Sequence, residues 1–416
     1  MKDLVTIQSI EEASRRLNGV VKNTPLQLSK RLSKIYQANI YLKREDLQEV
    51  RSYKIRGAYN LIKSLTDKEK ARGIVCASAG NHAQGVAYSC NALKIKGTIF
   101  MPITTPLQKI SRVKHFGDGW VEIKVAGNSY DESCKAAQNF CKKQNSVFIH
   151  PFDDPIVIAG QGTIGKEIFD QSSEIVDFVF CPVGGGGLIS GIGTYLKGKK
   201  KTIKIIGVEA TGAAGMYQSL KANKVVTLDK IDPFVDGVAV KTIGANTFNI
   251  ASKLIDEMII VDEGKVCTTM LDLYQNEGIV AEPAGALSIS ALDSVSEKIK
   301  GKTVVCILSG GNNDILRYPE IMEKSLVYKG LKHYFLIEFA QKPGQLKQFL
   351  NSALGPTDDI VRFEYMKKNS KETGPALIGI ELSKKEDFPK LTGKMDKLEI
   401  KYTLLKSNDL LYRYLI

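Results

Sequence analysis

In "VRSYKIRGAYN", residues 50 to 60, a single lysine, Lys54, follows an aromatic residue and leads into an arginine–glycine pair. A lysine amine forms an imine with an aldehyde once desolvation or a neighbouring charge lowers its pKa. Downstream lie three stretches of tiny and polar residues, "CASAGNHAQG" (76 to 85), "CPVGGGGLISG" (181 to 191) and "LSGGNND" (308 to 314). Glycine leaves backbone N–H groups uncovered and allows positive φ. Gly184 to Gly187, opening onto the helical pattern "LISGIGTYL", read as a nest at a helix N-terminus, an anion site suited to phosphate. The competing reading of the glycines is a tight turn, which needs only one of them. The competing reading of Lys54 is an ordinary surface lysine among 58 basic residues. Three ligand-type loops in one chain outweigh both, and point to a monophosphate cofactor that carries an aldehyde. Ser52 is expected as a helix N-cap, placing Lys54 in a first turn, where positive charge is disfavoured. Tyr53 and the small Gly57 and Ala58 let a flat ring approach.

Two other phosphate signals are weaker. "GTYLKGKK" (193 to 200) imitates a P-loop but ends in Lys200, where Ser or Thr should hold magnesium. "GQGTIG" (160 to 165) is a full G-x-G-x-x-G. A dinucleotide fold needs that motif directly after a strand, with an acid at the end of the next one. Here the next strand ends in "CPVGGGG", with no acid, so a dehydrogenase is not favoured.

The elements that must position these loops alternate between about residues 39 and 316. "IYLKRED", "GIVCASAG", "KGTIFMP", "VEIKVA", "SVFIHPF", "FVFCPVGGGG", "KIIGVEA", "MIIVDEG" and "TVVCILSGG" read as strands. "NHAQGVAYSCNALK", "LQKISRVKHF" and "SYDESCKAAQNFCKKQ" read as helices between them. Such repetition predicts mostly parallel sheet with helices on both faces, its ligand loops gathered along one edge. Near residue 320 the order changes to β-α-β-β-α-β, the ferredoxin-like sequence of elements. The expected organisation is a catalytic part over 1–320 made of two α/β subdomains, a linker over 321–332, and a small regulatory domain over 333–416.

Bulk properties exclude several classes. No apolar run reaches membrane-spanning length, and the start, "MKDLVTIQSIEEASRRL", lacks an apolar signal core, so a cytoplasmic protein is expected. Seven dispersed cysteines without a C-x-x-C pair argue against a disulfide frame or zinc ribbon. Four unclustered histidines make histidine-based metal catalysis a poor fit. The net charge of +13 favours anionic partners, yet 45 acids interleave with the bases and no basic run carries aromatics. Nucleic acid is therefore not expected as a partner.

"SYKIRGA", "SAGNHAQG", "GGGGL" and "SGGN", in this order and spacing, resemble the fold-type II (β-family) pyridoxal-phosphate enzymes, and among them the threonine dehydratases (threonine deaminases). The resemblance covers about residues 5 to 320. The tail, through "FAQKPGQLKQFLN" and "DDIVRFEYMKK", resembles the ACT-like regulatory domain of biosynthetic threonine dehydratases, in a short form with one copy. The resemblance implies two open twisted α/β sheets, a ferredoxin-like regulatory domain, and pyridoxal 5'-phosphate as cofactor. Lys54 would be the Schiff-base lysine and general base, beside Tyr53, which stands where many relatives have Phe. Asn81 would hydrogen-bond the cofactor's phenolic oxygen. Gly184, Gly185, Gly186, Gly187 and Leu188 would hold its phosphate, and Ser309 would face its pyridine nitrogen. Ser78, Ala79, Gly80, Asn81 and His82 would receive the substrate carboxylate through N–H groups, and Glu282 would line the substrate pocket or serve as a structural hydrogen-bond partner. Serine racemases of this family carry a serine at the position of Ala79; an alanine moves no proton, so racemisation is not expected. Their metal site pairs an acid matching Glu209 with one matching Gly215, which has no side chain, so no metal is expected.

The implied reaction is the dehydration and deamination of L-threonine to 2-oxobutanoate and ammonia, the first step of isoleucine biosynthesis. The tail would bind isoleucine, or in some relatives valine, and the chain would form a homotetramer or homodimer. Three alternatives stay open: an L-serine dehydratase or another β-elimination or β-replacement enzyme, a tail that only oligomerises, and a non-enzymatic regulator that kept the fold.

Overall fold

A computed structural model describes residues 4–367, 371–406 and 409–415, and the readings above that fall on 1–3, 368–370, 407–408 and 416 lie outside them. The chain divides into two compact units after Asp314. In the first, a six-stranded sheet runs in the order Leu26–Leu28, Asn39–Arg44, Thr303–Leu308, Phe178–Pro182, Lys204–Ala210, Glu257–Val261. Every neighbouring pair is parallel except Leu26–Leu28 with Asn39–Arg44. The strands Thr303–Leu308 and Phe178–Pro182 are buried at every position, as strands covered on both faces must be. A second, four-stranded sheet is wholly parallel, in the order Val121–Val125, Gly97–Met101, Ile74–Ala77, Val147–Phe148. Each sheet has its own core, one around Ile55, Val86 and Ile99, the other around Val179, Ile192 and Ile307.

Three helices fix the position of Lys54. Helix Lys54–Ser64 opens on the lysine itself. The cap position is Tyr53 and no side chain caps the helix, so Ser52 is not the expected N-cap. Ser52 instead forms an isolated bridge with Gly310, and its Oγ is buried without a partner among the described residues. The "GQGTIG" stretch lies inside helix Pro155–Gln171, not after a strand. Its glycines serve close packing. A Cβ at Gly160 would sit 2.7 Å from the Arg56 carbonyl oxygen, and one at Gly162 would sit 2.9 Å from that of Gly191, in helix Gly187–Lys199.

Two residues beyond Lys54, Arg56 is buried and pairs with two carboxylates, Glu45 at 2.7 Å and Glu167 at 2.6 Å. Lys43, also buried, takes Glu167 at 2.6 Å and the Thr24 carbonyl oxygen at 2.5 Å. These bonds tie the first turn of the lysine helix to strand Asn39–Arg44 and helix Pro155–Gln171. Buried charges hold a single geometry only when fully paired, as here.

In the second unit, four antiparallel strands run in the order Asp359–Tyr365, Thr373–Glu381, Lys332–Ala340, Lys401–Leu404, with a register shift between Ile360 and Arg362. Helices Gln345–Ser352 and Phe388–Lys397 complete the β-α-β-β-α-β order of a ferredoxin-like fold. Phe335, Phe349, Ile378 and Leu391 share its core. The stretch 321–332, expected as a linker, holds most of helix Tyr318–Tyr328, which buries Ile321 and Ser325.

Candidate active site

The ligand-type loops all follow parallel strands at their carboxyl ends, where α/β sheets bind small molecules. Ser78 to Asn81 follow Ile74–Ala77, Gly184 to Gly187 follow Phe178–Pro182, and Ser309 to Asn313 follow Thr303–Leu308. Lys54 reaches the same region because the Tyr53 N–H donates to the Ser309 carbonyl oxygen at 3.1 Å.

Lys54 Nζ donates to the Pro151 carbonyl oxygen at 3.2 Å and lies 5.2 Å from the centre of the Tyr53 ring. The residue as a whole is partly buried, and desolvation of its ammonium pulls its pKa down to about 8, against the opposing pull of the Glu282 carboxylate. Burial raises the Tyr53 phenol, helped by the Glu282 and Cys181 charges, so it stays protonated. Ser309 is buried, and its Oγ donates to the Ala284 carbonyl oxygen at 3.2 Å.

The glycine row turns at Gly186, whose φ is +90°, and becomes helix Gly187–Lys199. Among the described residues, none of the backbone N–H groups from Gly184 to Leu188 has a protein acceptor. The carbonyl side is held instead: Thr247 Oγ1 donates to the Gly185 carbonyl oxygen at 2.6 Å. The ring of Phe152 lies where a Cβ on Gly185 would go, and a Cβ on Gly187 would stand 2.9 Å from the Phe152 carbonyl oxygen. Phe152, next to the carbonyl that holds Lys54, thus joins the lysine to the row. In the sequence Phe152 ends "SVFIHPF", where a phenylalanine carries no functional signal of its own.

In the 78–82 loop the Ser78 N–H donates to the Phe100 carbonyl oxygen at 3.0 Å, and the Gly80 N–H to Ser78 Oγ at 3.2 Å. The N–H groups of Ala79, Asn81 and His82 have no acceptor among the described residues. The loop therefore offers three donors to a ligand rather than five. The His82 ring is buried with Nε2 against the Ile149 carbonyl oxygen at 3.0 Å, and burial, with the Lys54 charge, pulls it down to about 3. The ring is therefore held neutral.

Asn81 Nδ2 donates to Glu282 Oε1 at 2.7 Å, and Asn81 Oδ1 accepts from Asn312 Nδ2 at 2.8 Å. Burial pushes the Glu282 carboxyl up to about 7, with Asp236 adding to the rise and Asn81 opposing it. Glu282 is thus poised near neutrality beside the lysine. Asn312, like Phe152, escaped the sequence reading, since only the third dimension brings it to Asn81. Glu209, in contrast, caps helix Gly215–Ala222, accepting the Met216 and Tyr217 N–H groups at 2.8 Å each. Among the described residues no three His, Cys, Asp or Glu side chains are grouped to hold a metal ion.

Residues 17–310 match the family model described as pyridoxal-phosphate dependent enzyme, and residues 323–415 match the C-terminal regulatory domain of threonine dehydratase. The chain is 52% identical over 412 residues to L-threonine dehydratase biosynthetic IlvA of Halalkalibacterium halodurans, covering 99% of both chains. It is 52% identical over 413 residues to the protein of that name from Bacillus subtilis, covering 99% of this chain and 98% of the relative. Among solved structures, it is similar to the processed form of threonine deaminase isoform 2 from Solanum lycopersicum, at 40% identity and TM-score 0.73, over 76% of this chain and 92% of that one. Maize serine racemase is similar at 30% identity and TM-score 0.71, over 78% and 99%.

Proposed function

Because the chain belongs to the pyridoxal-phosphate-dependent enzymes, we propose that it dehydrates and deaminates L-threonine to 2-oxobutanoate and ammonia, as the first step of isoleucine biosynthesis. The observation that carries this reading is full-length similarity to biosynthetic threonine dehydratases, regulatory domain included, joined to a site with one desolvated lysine.

The site fits pyridoxal 5'-phosphate. Five N–H groups without acceptors, at the start of a helix and four of them on glycines with no Cβ, suit a dianionic phosphate. Gly184, Gly185, Gly186, Gly187 and Leu188 would hold it, with Tyr53 against the ring and the Asn81 amide at the phenolic oxygen. When bound, the cofactor supplies an electron-withdrawing ring that takes up the electron pair left as Cα loses its proton.

The remaining work falls to the chain. Lys54, whose amine is neutral in a substantial fraction near pH 8, takes the Cα proton as general base. Ser309 would meet the pyridine nitrogen with a hydroxyl, too weak an acid to keep that nitrogen protonated. A serine at this position, in place of an acid, would thereby favour loss of the β-hydroxyl, as water, over a long-lived carbanion. The N–H groups of Ala79, Asn81 and His82 hold the substrate carboxylate, and Glu282 lines the pocket beside Asn81. Ala79 offers no proton on the face opposite Lys54, so the Cα configuration is not scrambled. Serine, one methyl smaller, reacts more slowly, since a methyl alters binding by about 1–3 kcal/mol.

The second unit is read as the sensor for isoleucine, or valine, and the working form as a homotetramer or homodimer in the cytoplasm. Among the described residues no helix is long and apolar enough to cross a membrane. A keto-acid assay with threonine and with serine, on the wild type and on Lys54→Ala, tests the reading. Threonine turnover abolished in the variant is expected. A wild type faster on serine, or a variant that keeps its visible cofactor colour and activity, overturns it.

A further inference from the structure

Asn81 is held at both ends of its amide. Its Oδ1 accepts from Asn312 Nδ2 at 2.8 Å, and its Nδ2 donates to Glu282 Oε1 at 2.7 Å. Asn312 Nδ2 also donates to the Val50 carbonyl oxygen at 2.8 Å. That carbonyl sets the polarity of the whole row. A backbone oxygen only accepts, so the Asn312 atom facing it is nitrogen. The second hydrogen of that nitrogen requires an oxygen on Asn81, which turns the Asn81 nitrogen to the carboxylate. Reversing the Asn81 amide would set nitrogen against nitrogen at Asn312 and oxygen against oxygen at Glu282. An amide nitrogen carries two hydrogens, and Glu282 engages one. The other has no partner among the described residues.

We propose, resting on the assignment of Asn81 to the cofactor's phenolic oxygen, that Asn312 is a positioning residue which locks Asn81 with its nitrogen, not its oxygen, turned to that atom. The row spans the site: Val50 precedes Lys54 by four residues and Asn312 follows Ser309 by three. A donor at the phenolic oxygen favours its ionised form and lowers its pKa, whereas an acceptor raises it. Asn312→Asp places only oxygens between Val50 and Asn81. The Asn81 nitrogen then swings to the new carboxylate, and its oxygen comes to face Glu282 and the cofactor. Glu282, raised to about 7, can carry the proton that this reversed pairing needs.

The test is a pH titration of the visible absorbance of the reconstituted holoenzyme, without substrate. In Asn312→Asp the midpoint should rise by about one pH unit or more, and in Asn312→Ala, which only frees the amide, by less. In an Asn81→Ala background Asn312→Asp should add nothing, because Asn312 acts only through Asn81. Thermal denaturation recorded alongside separates the alternative: lower stability with an unmoved midpoint means Asn312 is merely structural, and the proposal fails. If Asn312→Asp does not fold, Asn312→Ala decides, since an unmoved midpoint there is equally fatal. A visible band that survives Lys54→Ala, or a midpoint that ignores Asn81→Ala, instead removes the cofactor assignment beneath the proposal.

Discussion

The Nζ of Lys54 donates to the carbonyl oxygen of Pro151 at 3.2 Å, a contact that orients the amine without neutralising its charge. A carbonyl offers partial charge only, so desolvation dominates and the ammonium gives up its proton near pH 8 instead of near 10.5. Only the neutral amine attacks an aldehyde. In cofactor-stripped protein, the rate of capture of pyridoxal 5'-phosphate should therefore rise with pH through about 8, read as the growth of visible absorbance. Glu282→Gln removes the one carboxylate that opposes the shift, and should move the midpoint lower still. A midpoint near the ordinary lysine value would show the amine to be solvated.

Arg56 has two carboxylate partners and no route to water. Arg56→Ala leaves the buried Glu45 without its ion-pair partner and Glu167 with Lys43 alone, and should destabilise the first unit by about 3–5 kcal/mol. Trp120, the single tryptophan, lies in that unit and reports its urea unfolding by fluorescence. Burial alone would raise the Glu45 carboxyl, but Arg56 and its hydrogen bonds hold it below the ordinary value. A depressed folded pKa contributes stability above the unfolded value, about 4.3, and loses it as pH falls through the folded one. The gap between wild type and variant should accordingly narrow below about pH 4.

Gly186 separates the demands of conformation from those of packing. Its φ of +90° disfavours any side chain, and a Cβ would stand 2.8 Å from Met216 Cε and 2.9 Å from Thr247 Cβ. Gly186→Ala should weaken cofactor binding tenfold or more, given strain of about 1–3 kcal/mol at such a position. Gly301, with φ +67° and nothing within 4 Å of a Cβ, is the control. Gly301→Ala carries the same backbone strain far from the row, and should leave cofactor affinity, measured by absorbance titration, unchanged.

What the sequence disclosed follows from how local each signal is. Parallel strands such as Phe178–Pro182 are buried on both faces and read as continuous apolar runs, so the loops after them stood out. The three-residue strand Leu26–Leu28 is too short to show a period, and was missed. Ser52 looked like a cap because cap residues are recognised by type, but the helix begins one residue too late for it. "GQGTIG" met a phosphate motif by composition, whereas its glycines leave room for neighbouring helices, since a Cβ at Gly160 or Gly162 would stand only 2.7 Å or 2.9 Å from a backbone carbonyl oxygen. The pairs Arg56–Glu167 and Asn81–Asn312 join residues 111 and 231 positions apart, and no spacing rule reaches that far.

The regulatory reading makes a demand that a mere assembly module does not. If isoleucine weakens threonine binding, threonine must weaken isoleucine binding by the same factor, because the coupling free energy belongs to the pair of sites. Such factors are typically about 5- to 150-fold. Isoleucine affinity should be measured on the full chain by calorimetry, with a non-reacting threonine analogue absent and then saturating, and the analogue's affinity measured with and without isoleucine. Equal factors are expected. A chain ending at Asp314 keeps the first unit and all the site residues described, and should turn over threonine with no response to isoleucine. The second unit has its own core around Phe335 and Ile378, distinct from the two cores of the first. Persistence of the response in the shortened chain would place the effector site in the catalytic unit. Absence of isoleucine binding to the full chain would leave the ferredoxin-like unit with an assembly role alone.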